Sequence, residues 1–203
     1  MRPFVAAVLL TGAALSGCAF AQAQQASDDP NSVKAGTYRV DPAHTQVNWA
    51  VSHLGFSVYE GRFDKVSGTL VVHPGDPAND TLDVAIQTDS VNTPSSQLTQ
   101  QLAGPNWFDA KRFPTITFKS TRVTPTAPGA AMVVGDLTLH GVTRPVTLDV
   151  RFVGAGLNLL FAQYTVGFQA SGTIKRSDFG VSGLVPAIGD TTTLRLNGAF
   201  VRQ

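Results

Sequence analysis

Histidine and cysteine are the side chains best suited to acid–base, nucleophilic or metal chemistry near neutral pH. This chain holds four of the first and one of the second. His44, His53, His73 and His140 lie far apart and fall in no H-x-x-x-H or related ligand spacing, so no metal site is expected. Cys18 stands near the N-terminus, which leaves the rest of the chain without a thiol nucleophile or a disulfide, and G-x-S-x-G is absent. Asp41, Asp64, Asp109, Asp136, Asp178 and Asp190 mostly sit beside Gly, Pro or turn residues, where a carboxylate caps backbone N–H groups. The densest polar run, LTLHGVTRPVTLDVRF over Leu137–Phe152, has Leu137 and Leu139 alternating before it and Val146, Leu148 and Val150 after it. It reads as a hairpin whose connection is His140 to Pro145, with glycine giving freedom and proline fixing φ. No catalytic residue and no cofactor are expected; an enzyme using His53 or His140 with a nearby Asp is the rival reading.

The elements that hold these residues are strands. Val47, Trp49 and Val51 share one face, with His53 continuing it, and Leu82, Val84 and Ile86 do the same. So do Ile116 with Phe118, Val146 to Phe152, Tyr164 with Val166 and Phe168, and Leu194 with Leu196. Prolines and glycines at His73–Pro77, Thr124–Gly129, Arg176–Gly180 and Ile188–Asp190 break the runs, giving about eight strands. One segment differs: Ser95–Leu102 opens on serine caps, spaces Leu98 and Leu102 four apart and stops at Gly104-Pro105, which predicts a short helix over about 95–103. The aromatic turn Trp107–Pro114 follows. One-sided strands close a barrel or stack as a sandwich. Asp83, Lys119, Asp149, Arg151 and Arg195 on the opposite faces argue against a barrel embedded in lipid. The expected fold is all-β: an eight-stranded antiparallel soluble barrel with one helix. Patterning leaves open whether aromatic side chains such as Trp49, Phe56, Trp107, Phe108, Phe152 and Phe168 fill the interior or line a hollow.

Composition sets limits on partners. A formal charge of +1, without a basic stripe, gives no footprint for nucleic acid. With 43% hydrophobic and 14% charged residues, the chain is not disordered. At the N-terminus, Arg2 precedes an apolar run from Phe4 to Leu15 and then small residues, the order of a secretory signal. Ala19-Phe20-Ala21 offers cleavage before Gln22, giving a signal peptide over 1–21; Leu15-Ser16-Gly17-Cys18 offers a lipobox, giving 1–17 and a membrane anchor on Cys18. By either route the protein is exported. Residues 22–35, rich in Ala, Gln, Asp and Ser, read as a flexible tether, and 36–203 as the barrel domain.

Several motifs taken together carry a resemblance. In order they are Val40-Asp41-Pro42-Ala43-His44-Thr45, Gly61-Arg62-Phe63, Trp107-Phe108-Asp109-Ala110-Lys111-Arg112-Phe113-Pro114, Leu137–Pro145, and Lys175-Arg176-Ser177-Asp178-Phe179-Gly180. The chain from about Gly36 to Arg202 resembles the bacterial YceI family of polyisoprenoid-binding periplasmic proteins. Trp107-Phe108 stands where the family often has paired phenylalanines, which keeps an aromatic wall. The resemblance implies a lipocalin-like barrel, an isoprenoid lipid of polyprenyl or quinone type inside it, a periplasmic location and no enzymatic activity. The expected apolar lining is then Val47, Trp49, Val51, His53, Phe56, Leu98, Leu102, Trp107, Phe108, Ile116, Phe118, Val150, Phe152, Val166, Phe168, Leu194 and Leu196. Two rivals stand beside it: a lipid-acting hydrolase or isomerase using His53 or His140, and a filled barrel serving as an envelope interaction or stress module. Monomer and homodimer are both open.

Overall fold

The computed structural model describes residues 26–203; the leader and the candidate lipidation site Cys18 lie outside them. Strands form where alternation predicts them: β1 (Gly36–Val40), β2 (Gln46–His53), β3 (Ser57–Phe63), β4 (Val66–Val72), β5 (Thr81–Gln87), β6 (Val91–Asn92), β7 (Thr115–Ala127), β8 (Ala130–Leu139), β9 (Val142–Asn158), β10 (Gln163–Lys175) and β11 (Ile188–Arg202). All neighbours are antiparallel, in the order β1-β4-β5-β7-β8-β9-β10-β11-β2-β3-β6, and β1 also pairs with β11. β1 and β2 run in line along one edge of β11, Val40 opposite Phe200 and Gln46 opposite Asn197. β3 with β4, and β5 with β6, continue one another in the same way. The segments therefore make eight rows closed into an antiparallel barrel, as expected from the sequence.

The breaks within rows are chemically satisfied. After Pro42, which donates no ladder bond, the Ala43 N–H donates to Asp41 Oδ1 at 3.0 Å and His44 Nδ1 lies 2.7 Å from Asp41 Oδ2. At the second break, the Asp64 N–H donates to the Ser90 carbonyl and the Lys65 N–H to Ser90 Oγ, both at 3.0 Å. Between β6 and β7 the wall is not sheet. There the helix α1 (Ser96–Ala103) forms, its first turn capped by Ser95 Oγ, which accepts from the Leu98 N–H at 3.2 Å. The aromatic turn after it folds back on the helix end, with the Phe108 N–H on the Leu102 carbonyl and the Ala110 N–H on the Ala103 carbonyl.

Two prolines depart from expectation. The β8–β9 turn is His140-Gly141 alone, at φ 52 and 77, and the strand resumes at Val142 instead of after Pro145. Pro145 faces Asp136 of β8 and lies beyond the last β9–β10 pair, Asp149 with Ser171, so its missing N–H costs no ladder bond. Pro125 likewise stays in β7 because that stretch pairs with β8 only. The loop expected over Thr124–Gly129 shrinks accordingly.

The interior is divided along the barrel axis. At the end holding the N-terminus and the β9–β10 turn, Phe152, Phe168 and Phe200 stack edge to face at centroid distances of 5.8 and 6.1 Å, beside fully buried Val166 and Tyr38. Residues 26–35 pack over this end and are not a free tether. The Ser27 N–H donates to the Ala155 carbonyl at 2.9 Å, Val33 is buried, and the hydroxyls of Tyr38 and Tyr164 donate to the carbonyls of Lys34 and Ser32. Burial pushes the Tyr38 phenol pKa up, with Tyr164 adding to the shift.

Candidate functional site

The other half of the barrel is hollow. A cavity of about 360 Å³ opens at the end formed by the β2–β3 turn, α1, the aromatic turn and the β10–β11 connection. Its sides are inward residues of the strands: Val47, Trp49 and Val51 of β2, Leu82, Val84 and Ile86 of β5, Ile116 and Phe118 of β7, Leu137 and Leu139 of β8, Val146 and Leu148 of β9, and Leu194 and Leu196 of β11. Leu98, Leu102, Trp107 and Phe108 close the side that lacks sheet. Phe108 meets Phe63 edge-on at 5.5 Å, which ties the aromatic turn to β3.

Two glycines make these walls possible. Gly61 faces Trp49 across β2–β3, and the indole lies over it so closely that a Cβ would collide with the ring. Gly135 receives the Phe118 ring in the same way. Trp49 Nε1 has no acceptor among the described residues, a cost of about 1–3 kcal/mol that the ring's apolar contacts must offset. Gly61→Ala is expected to turn the indole into the cavity and to cost about 1–3 kcal/mol through overpacking. The check is tryptophan emission in a Trp107→Phe background together with a denaturant titration; an unmoved spectrum at unchanged stability rejects it.

One cation is built into this apolar wall. Arg176, only 7% exposed, lines the cavity at its mouth. Its Nε donates to the Gly189 carbonyl at 2.9 Å, Nη1 to Val181 at 2.8 Å and Nη2 to Ile188 at 2.8 Å. The guanidinium also stands 5.7 Å from the Trp107 ring centre. Burial draws its pKa below the ordinary arginine value, opposed by the charge of Asp190. The Ser177 N–H and hydroxyl both donate to the Asp190 carboxylate, at 2.9 and 2.8 Å, and hold its pKa below the usual range. Arg176 is thus a clamp that ties the β10–β11 connection across the mouth.

The histidines do not assemble. His53 is on the cavity wall with the Tyr59 ring at 6.3 Å, while His140 stacks on Phe113 at 4.5 Å outside it. Among the described residues, only His44 and His73 stand within ion-pair distance of a carboxylate, Asp41 and Asp80 respectively. No group of three potential ligands among His, Cys, Asp and Glu gathers among the described residues.

The family model of the YceI-like domain matches residues 38–200, all but the ends of this barrel. The chain belongs to the YceI family. It is 36% identical over 153 residues to a UPF0312 protein of Yersinia pestis, covering 74% of this chain and 79% of the relative. The crystal structure of Burkholderia cenocepacia BcnA superposes with a TM-score of 0.72 at 27% identity, over 79% of this chain and 98% of that one. A polyisoprenoid binding domain from Saccharophagus degradans, implicated in plant cell wall breakdown, is similar in fold, with a TM-score of 0.60 at 17% identity over 84% and 100% of the two chains.

Within this YceI domain, Val47, Trp49, Val51, His53, Leu98, Leu102, Trp107, Phe108, Ile116, Phe118, Leu194 and Leu196 share the cavity wall. Five other residues expected there are elsewhere. Phe56 is 90% exposed at the tip of the β2–β3 turn, pointing to solvent. Val150, Phe152, Val166 and Phe168 do face inward but belong to, or pack against, the filled half below the cavity. The inward residues of β5, β8 and the first part of β9 complete the wall beyond the expected set, and the same alternation marks them. Tyr59 and Arg176 gave weaker signals: Tyr59 follows an outward Val58, and an arginine at a strand end reads as solvated.

Proposed function

We propose that this protein binds a long-chain isoprenoid lipid, with the apolar tail inside the barrel and the polar end at the mouth beside Arg176, and that it sequesters or carries that lipid in the cell envelope. The supporting observation is the cavity itself, walled very largely by hydrocarbon and aromatic carbon. A chain entering it leaves water for surfaces that are almost entirely apolar. At ~0.8 kcal/mol per methylene, about ten buried methylenes contribute ~8 kcal/mol, near a micromolar dissociation constant before ordering costs. The Saccharophagus domain, alike in fold, is named for this ligand class. Binding rather than catalysis fits the separation of His53 from His140 and from any carboxylate partner among the described residues.

The test is to purify the protein, extract it with organic solvent and analyse the extract by mass spectrometry. A prenyl lipid at about one per chain is the expected result. A clean extract, followed by failure to reload with quinones and polyprenols, removes this reading in favour of an envelope interaction module.

A further inference from the structure

A prenyl chain does not travel through water unaided, so the mouth has to meet the phase that holds the lipid. Of the segments around that mouth, two carry exposed apolar side chains. The β2–β3 turn carries Leu54 and Phe56, exposed by 51% and 90%, and Val58 at the start of β3 is exposed by 66%; the β10–β11 connection carries Leu184 and Val185, exposed by 64% and 37%. The Leu54 N–H donates to the Ala187 carbonyl at 2.9 Å, which joins the loops into one rim. Leu184 is at once outside and inside: it is exposed on the rim and also lines the cavity, so the apolar surface runs unbroken from the wall to the outer edge.

From this continuity we infer that the rim is a membrane-docking surface, seating the mouth against a lipid bilayer so that a chain passes between bilayer and cavity without crossing water. This rests on the lipid reading above. Segments 54–58 and 182–187 contain no charged residue, so their insertion into the acyl boundary desolvates no ion. Leu54 and Leu184 both hold a left-handed backbone, at φ 55 and 59. That conformation suits glycine or asparagine and strains a leucine. The chain keeps an apolar side chain at both places, where a polar residue would be easier to accommodate. A protein partner is a poorer occupant, because five side chains on two loops fall short of the roughly 20–30 residues a side of a stable protein interface. A second apolar tip, Leu159, Leu160 and Phe161, belongs to the opposite end, and none of the three lines the cavity.

The experiment compares the full chain with a Leu54→Asn/Phe56→Ser variant, whose asparagine suits the left-handed site and whose changed residues are absent from the cavity wall. Flotation with phosphatidylcholine vesicles, and transfer of a fluorescent polyprenol from those vesicles, are both expected to fall about tenfold or more. Uptake of the same polyprenol from detergent micelles should stay unchanged, and added salt should not weaken vesicle binding of the parent chain. Unchanged flotation and transfer in the variant overturn the inference, as does a parallel loss of micelle uptake in a folded variant, which makes the rim part of the ligand site. Failure of the parent to bind polyprenol from any source strikes the lipid reading instead, while flotation still reports on docking by itself. Capture of a second copy by the parent and not the variant, without flotation, reassigns the rim to self-association.

Discussion

Val84→Trp is expected to lower affinity for the proposed prenyl lipid by roughly a thousandfold while leaving the protein folded. Val84 faces the cavity from β5 directly opposite Gly68 of β4. The space beside Gly68 is already taken by the Asp83 carbonyl, unlike the open face of Gly61 that Trp49 covers, so an indole at position 84 has to extend into the cavity. The added ring occupies space otherwise taken by ligand. Displacing about five methylenes at ~0.8 kcal/mol each removes ~4 kcal/mol of binding, or about a factor of a thousand. Because the ring grows into a void and not into packed atoms, the thermal midpoint should hold or rise. Titration with a short polyprenol bearing a fluorescent label, followed by the label's emission, reads the loss. An unchanged dissociation constant in a folded variant means that the chain does not lie in this cavity.

A second large effect falls on stability. Arg176→Ala leaves the carbonyls of Val181, Ile188 and Gly189 without their donor and takes a cation from the Trp107 ring. Hydrogen bonds to a charged group are worth ~1.5–3 kcal/mol each. With some water reaching the vacated space, the expected loss is about 4 kcal/mol, a large share of the ~5–15 kcal/mol that holds a typical domain together. Arg176→Lys is expected to rescue little, because one compact ammonium does not reproduce a planar fork that serves three acceptors. The guanidinium stays charged at every workable pH even with its pKa drawn down, so the loss should be the same at pH 5 and pH 8. Denaturant titrations measure it, and amide exchange across residues 177–189 places it. A loss below about 1 kcal/mol means that water satisfies the three carbonyls unaided.

Much of this architecture was legible before any coordinates, and the gaps have physical causes. Period-two alternation names the inward face of each strand because side chains in a pleated strand cannot do otherwise. The eight rows and α1 follow from that alternation and from the Ser95 cap. Depth along the barrel axis leaves no such mark. Phe118 and Phe168 obey the same alternation, yet one lines a hollow and the other fills a core, since neighbouring strands decide how much space lies ahead of each ring. Pro125 and Pro145 look like breaks only if both edges of a strand need donors, and at these positions one edge is unpaired. Val58 is outward on β3, so its apolar type obscures the inward set of Tyr59 and Phe63. Arg176 owes its role to three carbonyls of a segment that follows it, a relation that exists only once the chain has turned back.

The aromatic stack of Phe152, Phe168 and Phe200 gives the hollow half a floor. A tube with a floor measures what enters it. If the proposed ligand is bound, each isoprene unit of a short chain would find new wall, and affinity should climb with length until the leading end reaches the filled half. Beyond that point further units remain at the mouth and contribute only what the rim or the medium offers them. For the proposed ligand, the floor would make the barrel a gauge with an upper limit, in which chain length is read from the closed end and a longer tail is bound no better than one that just fits.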